Sequence, residues 1–254
     1  MAAILSADET ARLAGRLLAA RYPGADAGFA AGSLVRGGAT ATSDLDIVVL
    51  FERLPHAYRE SFFFEGLPVD AFVHDPETLR AWFGKDVDAG KSAMLTMVTE
   101  GRIVGPRPAL AATMKAEAAA ILAAGPPPFD SANVDLFRYL ISSRVEDLED
   151  ARPWPEVLAT IAWLLPTLAD FIMRANGRWA ATAKWVPRTL AAFDPALAAA
   201  FDAAFDEVLD RRDPAPLVAF ADQVLAPFGG RLFDGYRADA KPDERIVSVP
   251  SPLS

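Results

Sequence analysis

The stretch that decides the fold is Ala31-Gly32-Ser33-Leu34-Val35-Arg36-Gly37, followed by Ser43-Asp44-Leu45-Asp46-Ile47-Val48-Val49-Leu50-Phe51. A small-residue turn leads through a short polar linker to two carboxylates one residue apart, and then to an apolar run. Along a strand successive side chains alternate between faces, so residues two apart share one. Asp44 and Asp46 therefore point the same way, and Leu45 and Ile47 point the other way, into a core. The unbroken apolar run predicts a central strand over 44–51 buried on both faces. Two carboxylates held that close repel each other unless a cation sits between them. Mg²⁺, a hard ion that takes oxygen ligands from a few carboxylates and from substrate phosphates, suits such a pair. Gly32-Ser33 adds backbone N–H groups and a hydroxyl, all donors to phosphate oxygens.

Working outward, Ser6 and Glu9 form a capping-box pattern, and Leu13, Leu17 and Leu18 follow at helical spacing up to Tyr22, before Pro23-Gly24. Gly28 to Ala31 reads as a first strand into the Gly-Ser turn, and Ser33 to Val35 as the opening of a short helix. Tyr58 to Phe64 and Leu67 to His74 read as a hairpin around Glu65-Gly66. A helix is expected from Pro76 to Phe83, with Pro76 in its favoured first-turn place. Another is expected over 91–100, then a short strand over 101–105. Alanine-rich helical pattern runs from Pro108 to Ala124, and Gly125-Pro126-Pro127-Pro128 breaks it. Beyond that break, segments near 131–151, 155–175, 194–211 and 214–227 carry apolar residues at three- and four-residue steps, which reads as a helical bundle. The expected division is a catalytic domain over 1–125, a helical bundle over 126–240 and an extended or disordered tail over 241–254. No internal repeat is present.

Gly32-Ser33, ten intervening residues and Asp44-Leu45-Asp46 together resemble the signature of the polymerase β-like nucleotidyltransferase superfamily. The wording around them is most similar to its small bacterial members, including the aminoglycoside nucleotidyltransferases. Leu67-Pro68-Val69-Asp70 fits the third carboxylate that the family carries on a following strand. The likeness covers the first hundred residues; the rest matches in general character only. Asp-x-Asp alone also occurs as a solvated strand start, and Gly-Ser as an ordinary turn. Their spacing, with Asp70 on a later strand, selects the functional reading.

The resemblance implies an α+β fold: a nucleotidyltransferase domain with a short mixed sheet flanked by helices, then a helical bundle. It implies transfer of a nucleoside monophosphate from an NTP, ATP first among them, to a hydroxyl of a small acceptor, with release of pyrophosphate. An amino sugar of the aminoglycoside kind is one candidate acceptor. Asp44, Asp46 and Asp70 would be the catalytic acids and metal ligands for Mg²⁺, two ions in the family's scheme. Asp70 is either a third ligand or the base that takes the acceptor's proton; a plainer account makes it a buried or edge-strand carboxylate paired with an arginine. Gly32, Ser33, Arg36 and Lys184 would bind the nucleotide. Arg36 equally reads as a partner for a surface acid.

Lys184 lies in Asn176-Gly177-Arg178-Trp179 through Lys184-Trp185-Val186-Pro187-Arg188, the stretch expected to serve the nucleotide from the helical domain. It resembles a Gly-x-Trp…Gly-Lys-Trp segment of some relatives, although Ala183 stands where glycine would precede the lysine. Packing of the tryptophans between helices is the plainer account of the same residues. Glu100 is an outside candidate for a base. Glu146, Asp147, Glu149 and Asp150 form either a solvated acidic face or a patch that attracts an aminated acceptor. Two alternative functions share the same acids: an adenylyltransferase that modifies a partner protein, and a nucleotide-binding regulatory module without turnover.

Composition narrows the partners. The 254 residues carry 25 basic and 34 acidic side chains, a net charge of −9, with 52% hydrophobic residues. That balance argues against nonspecific nucleic-acid binding, which needs cations to displace counterions, and against an anionic membrane surface. No cysteine occurs, which excludes disulfides, thiolate metal sites and a cysteine nucleophile. The N-terminus lacks the basic start and apolar run of a signal peptide. No segment reaches the roughly 18 uncharged apolar residues of a membrane span, so the expected location is cytoplasmic. His56 and His74 have no metal-ligand spacing, and no histidine follows them to serve a helical RNase site.

Overall fold

The structure, a computed structural model, describes residues 5–240; the tail expected over 241–254 lies outside them. The chain divides into two compact units. One runs through Pro128 and regains Asn176–Ala181; the other consists of Phe129–Ala175 and the chain from Thr182 onward.

In the first unit the order is α1 (Ala7–Arg21), β1 (Ala27–Ala31), α2 (Ser33–Arg36), β2 (Leu45–Leu50), β3 (Tyr58–Phe64), β4 (Leu67–His74), α3 (Pro76–Ala89), α4 (Ala93–Glu100), β5 (Arg102–Val104) and α5 (Pro108–Ala124). The capping box is formed: Glu9 N donates to Ser6 Oγ, and Ser6 N donates to the Glu9 carboxylate. The five strands form one sheet in the order β3-β4-β2-β1-β5. β2 and β4 are parallel, and every other neighbouring pair is antiparallel. Glu65 at φ 49° and Gly66 at φ 81° make the two-residue turn between β3 and β4. Positive φ at both positions gives the twist that joins adjacent antiparallel strands.

The two faces of the sheet carry separate cores. Leu45, Ile47 and Val49 of β2, with Val69, Ala71 and Val73 of β4, pack with Leu17 and Leu18 of α1 and Leu34 of α2. Phe29, Val48, Leu50 and Phe72 pack on the opposite face with Leu79, Phe83, Leu95, Val98 and Met114 from α3, α4 and α5. β2 is therefore buried on both sides, as its apolar run predicts.

The elements differ from the expectation at several places. Asp44 precedes β2 rather than beginning it. α3 continues past Gly84 to Ala89 and stops at Gly90, whose φ of 62° makes a left-handed cap. The segment Asn176–Ala181 joins the sheet-bearing unit instead of the helical one. Ala180 N donates to Gly90 O at 2.9 Å. Trp179 donates its indole N–H to Leu122 O at 3.1 Å and packs against the core beneath α5.

The second unit is helical: α6 (Ser131–Glu149), α7 (Trp154–Ala175), α8 (Val186–Phe193), α9 (Pro195–Arg211) and α10 (Ala215–Leu225). α8, which falls between the expected segments, starts with Pro187 in its first turn. α7 is long and apolar enough to cross a membrane by length and composition. It carries Glu156, Asp170 and Arg174, however, and it buries Leu164, Leu168, Phe171 and Ile172. Phe171 meets Phe137 and Phe228 at ring-centroid distances of 6.1 and 5.1 Å, which makes α7 the core helix of its unit.

Candidate active site

The site is built at one end of the parallel pair β2 and β4. Their register sets Asp46 directly opposite Asp70, and both side chains leave the same face of the sheet. Asp44 sits one residue ahead of β2. One carboxylate oxygen from each of Asp44, Asp46 and Asp70 lies within 4.8 Å of the other two. Two Mg–oxygen bonds of about 2.1 Å span at most about 4.2 Å, so small rotations about the side-chain bonds bring the three oxygens onto one ion. Among the described residues these are the acids placed to do so, and an all-oxygen donor set fits a hard divalent cation.

Gly32 forms the floor beside them. β1 pairs Ala31 with Asp46, so the next residue of the chain passes against the Asp46 side chain. A Cβ at Gly32 would lie 2.1 Å from Asp46 Oδ2. The backbone there has φ 78° and ψ −164°, a combination that side chains with a Cβ rarely adopt. Ser33 is buried, and its Oγ donates to Ser43 Oγ at 3.0 Å, while Thr40 N donates to the same Ser43 Oγ at 2.8 Å. These bonds tie the loop before Asp44 to the start of α2. The small-residue turn and the acids are therefore one connected structure.

Asp70 is the buried member of the cluster and is engaged from β3. Arg59 Nε donates to Asp70 Oδ1 at 2.8 Å, and its terminal nitrogen bonds Oδ2. Ser61 Oγ donates to Oδ1 at 3.2 Å. The guanidinium also lies over the Phe72 ring, 4.8 Å from its centroid. Bonding to Asp70, with the further pull of Asp46 and Asp44, holds Arg59 firmly in its charged form.

An arginine partner for Asp70 is one of the sequence expectations, but Arg59 and Ser61 are not named by it. The signal for them is the hairpin itself. A two-residue turn at Glu65-Gly66 sets Ser61 opposite Asp70 and puts Arg59 on the same face, one pair along.

The remaining candidates have contacts and settings of their own. Arg36 pairs with Glu100, so the cation expected at the phosphates and the outlying candidate base engage one another. Lys184 lies in a 3-10 turn, Ala183–Trp185, of the second unit. Arg188 stacks its guanidinium over Trp185 at 4.7 Å. The acidic run on α6 is answered by arginines: Asp147 by Arg144 and Arg152, Asp150 by Arg152, and Glu149 by Arg231. It is an ion-pair network rather than an open acidic patch.

His74, at the far end of β4, is buried against Trp82, and burial pushes its imidazole down to about 4. An open groove of about 510 Å³ lies at that same far end, lined by Glu52, Arg53, Asp75 and Arg80. Two of its polar groups are already engaged: Asp75 caps α3 through Thr78 N and accepts from Leu54 N, and Arg80 pairs with Glu117.

No family model matches the sequence, and no curated protein matches it. Among solved structures, a nucleotidyltransferase-like protein from Exiguobacterium sibiricum 255-15 is similar over 85% of this chain and 74% of its own, at 14% identity and a TM-score of 0.45. A likeness that distant bears on neither substrate nor mechanism, which rest on the side chains described above.

Proposed function

We propose that this chain moves a nucleoside monophosphate from an NTP to a hydroxyl of a small polyhydroxylated acceptor, at the cluster of Asp44, Asp46 and Asp70. The convergence of those three carboxylate oxygens within 4.8 Å, beside a turn with no side chain at Gly32, carries the reading. The acceptor oxygen bonds to the α-phosphorus, the bond from that phosphorus to the bridging oxygen breaks, and pyrophosphate leaves. The acceptor's proton goes to a carboxylate of the cluster, with Asp70 the first candidate because it is already shielded from solvent. Such a reaction needs positioning and charge neutralisation more than covalent help. Asp44 and Asp46 would hold Mg²⁺, two ions in the reading drawn from the resemblance, with Asp70 a third ligand if it is not the base, and the metal would supply that neutralisation at the triphosphate.

Gly32 and Ser33 present the backbone N–H groups of the turn to phosphate oxygens, and the missing Cβ lets them approach. Arg36 and Lys184 are the further phosphate cations of this reading, with ATP the first nucleotide to test. The net charge of −9 favours encounter with a cationic acceptor, an amino sugar among them.

The test is direct. The purified chain is mixed with Mg²⁺, labelled NTPs and a panel of hydroxylated acceptors, and pyrophosphate is followed. Transfer is expected with the wild type. Asp46→Asn should abolish it while leaving the circular dichroism spectrum unchanged, and Lys184→Ala should raise the KM for NTP. Failure to bind any NTP in the presence of metal would end this reading. Label found only on protein bands of a lysate would replace the small acceptor with a partner protein.

A further inference from the structure

The acid cluster contains its own cation. Three carboxylates carry −3, and Arg59 brings the local sum to −2, the charge that one divalent ion would cancel. How Arg59 holds Asp70 matters for metal entry. Each carboxylate oxygen has two lone pairs. Asp70 Oδ1 accepts from both Arg59 Nε and Ser61 Oγ, and Oδ2 accepts from the other arm of the guanidinium. One lone pair, on Oδ2, remains for any metal. Coordination by Asp70 through both oxygens therefore requires the arginine fork to open, whereas a single bond through Oδ2 does not.

The Arg59 side chain is 63% exposed, against 11% for Asp70, so the guanidinium has solvent to move into and the carboxylate has not. Arg59 stands on β3, an edge strand of the sheet. In the same pose its guanidinium lies over the face of Phe72, 4.8 Å from the ring centroid, a contact that does not depend on the acid. From there a released guanidinium stays beside the cluster with its five N–H donors available, and the planar fork suits phosphate oxygens as well as it suits a carboxylate.

We propose that Arg59 is the resident counter-cation of the cluster: it holds Asp70 in the metal-free protein, competes with a divalent cation for that carboxylate, and passes to a nucleotide phosphate when metal and nucleotide bind together. The proposal rests on the metal-dependent reading above. It makes Arg59 a positioning residue and couples metal affinity to nucleotide binding, because the phosphate gives the displaced guanidinium a new partner.

Mn²⁺ titration of the full chain, followed by electron paramagnetic resonance, separates the possibilities without any turnover. Wild type, Arg59→Ala, Arg59→Gln and Asp46→Asn are compared with and without a non-hydrolysable ATP analogue. Without nucleotide, both Arg59 variants are expected to bind Mn²⁺ on the order of tenfold more tightly than wild type, the scale on which a partly exposed bidentate pair competes. The analogue should tighten Mn²⁺ binding in the wild type and do so much less in either Arg59 variant. Unchanged or weaker Mn²⁺ binding by both variants, alongside a wild-type site that Asp46→Asn removes, would overturn this proposal alone. Mn²⁺ binding that Asp46→Asn leaves intact would overturn the metal reading itself, and this inference with it.

Discussion

Gly32→Ala offers a sharp test, because two separable effects meet at one position. The added Cβ would sit 2.1 Å from Asp46 Oδ2, far inside van der Waals contact. The atom it strikes is the end of a side chain, so the collision is relieved by turning Asp46 away. That rotation removes a carboxylate from the cluster. The backbone conformation, φ 78° and ψ −164°, cannot be relieved in the same way and costs about 1–3 kcal/mol for a residue with a Cβ. In thermal melting this corresponds to a midpoint lowered by roughly 3–10 °C.

The assay is a pair of measurements, melting and Mn²⁺ affinity, made on Gly32→Ala, on Asp46→Ala and on the double variant. Metal affinity should fall in Gly32→Ala and fall no further in the double variant, since Asp46 is already gone. The stability loss should persist in the Asp46→Ala background, since it belongs to the backbone. Wild-type metal affinity in Gly32→Ala would refute the placement of Asp46 in the site. A stability loss that vanishes once Asp46 is removed would show that the collision, not the backbone, carries the cost.

Three further outcomes are expected. Asp44→Asn should melt no lower than wild type in chelator, because it relieves like-charge repulsion. It should also lose most of the Mg²⁺-induced stabilisation, which for the wild type reaches about 2.7 kcal/mol at a hundredfold excess over the dissociation constant; lower melting in chelator would mean Asp44 makes structural bonds instead. His74 takes up a proton near pH 4 in the folded chain and near 6.5 when unfolded, so the unfolded state binds more protons between those values and stability falls as pH drops through that window. The loss approaches about 3 kcal/mol at the acid end, and urea unfolding across pH should show a shallower slope for His74→Gln. Gly101→Ala would place a Cβ 2.5 Å from Met97 O and 2.8 Å from Phe29 Cβ, costing about 3 kcal/mol of overpacking, whereas Gly15→Ala on α1 meets nothing within 4 Å and should stabilise by about 0.5–1 kcal/mol. Chemical denaturation of both glycine variants checks the contrast.

Most of the first unit was legible along the chain because its signals are local. The capping box at Ser6, the apolar run of β2, the Glu65-Gly66 turn and the Pro108 start of α5 each report on a few neighbouring residues, and each forms as expected. Where a local signal competed with packing, packing prevailed. Gly84 does not interrupt α3, since Leu79 and Phe83 bury the helix against the sheet. Val186 and Leu190 bury the face of α8, a helix the sequence expectation does not include. Trp179, in the stretch expected to serve the nucleotide, is bound into the core through Leu122.

The nearness of Asp44 to Asp46 follows from their separation by one residue, and the small turn ahead of them from local residue type, since both depend on backbone geometry over a few bonds. The meeting of Asp70 with that pair was decided only in three dimensions, by the parallel register that sets it across from Asp46. Pairing between strands distant in sequence is chosen by which faces bury together, and no short window of residues contains that choice. The same holds for Arg59, whose partner is named by the hairpin register and by the ring of Phe72 beneath it. The carboxylates were thus written in the sequence, while the counter-charge that governs access to them came from the sheet.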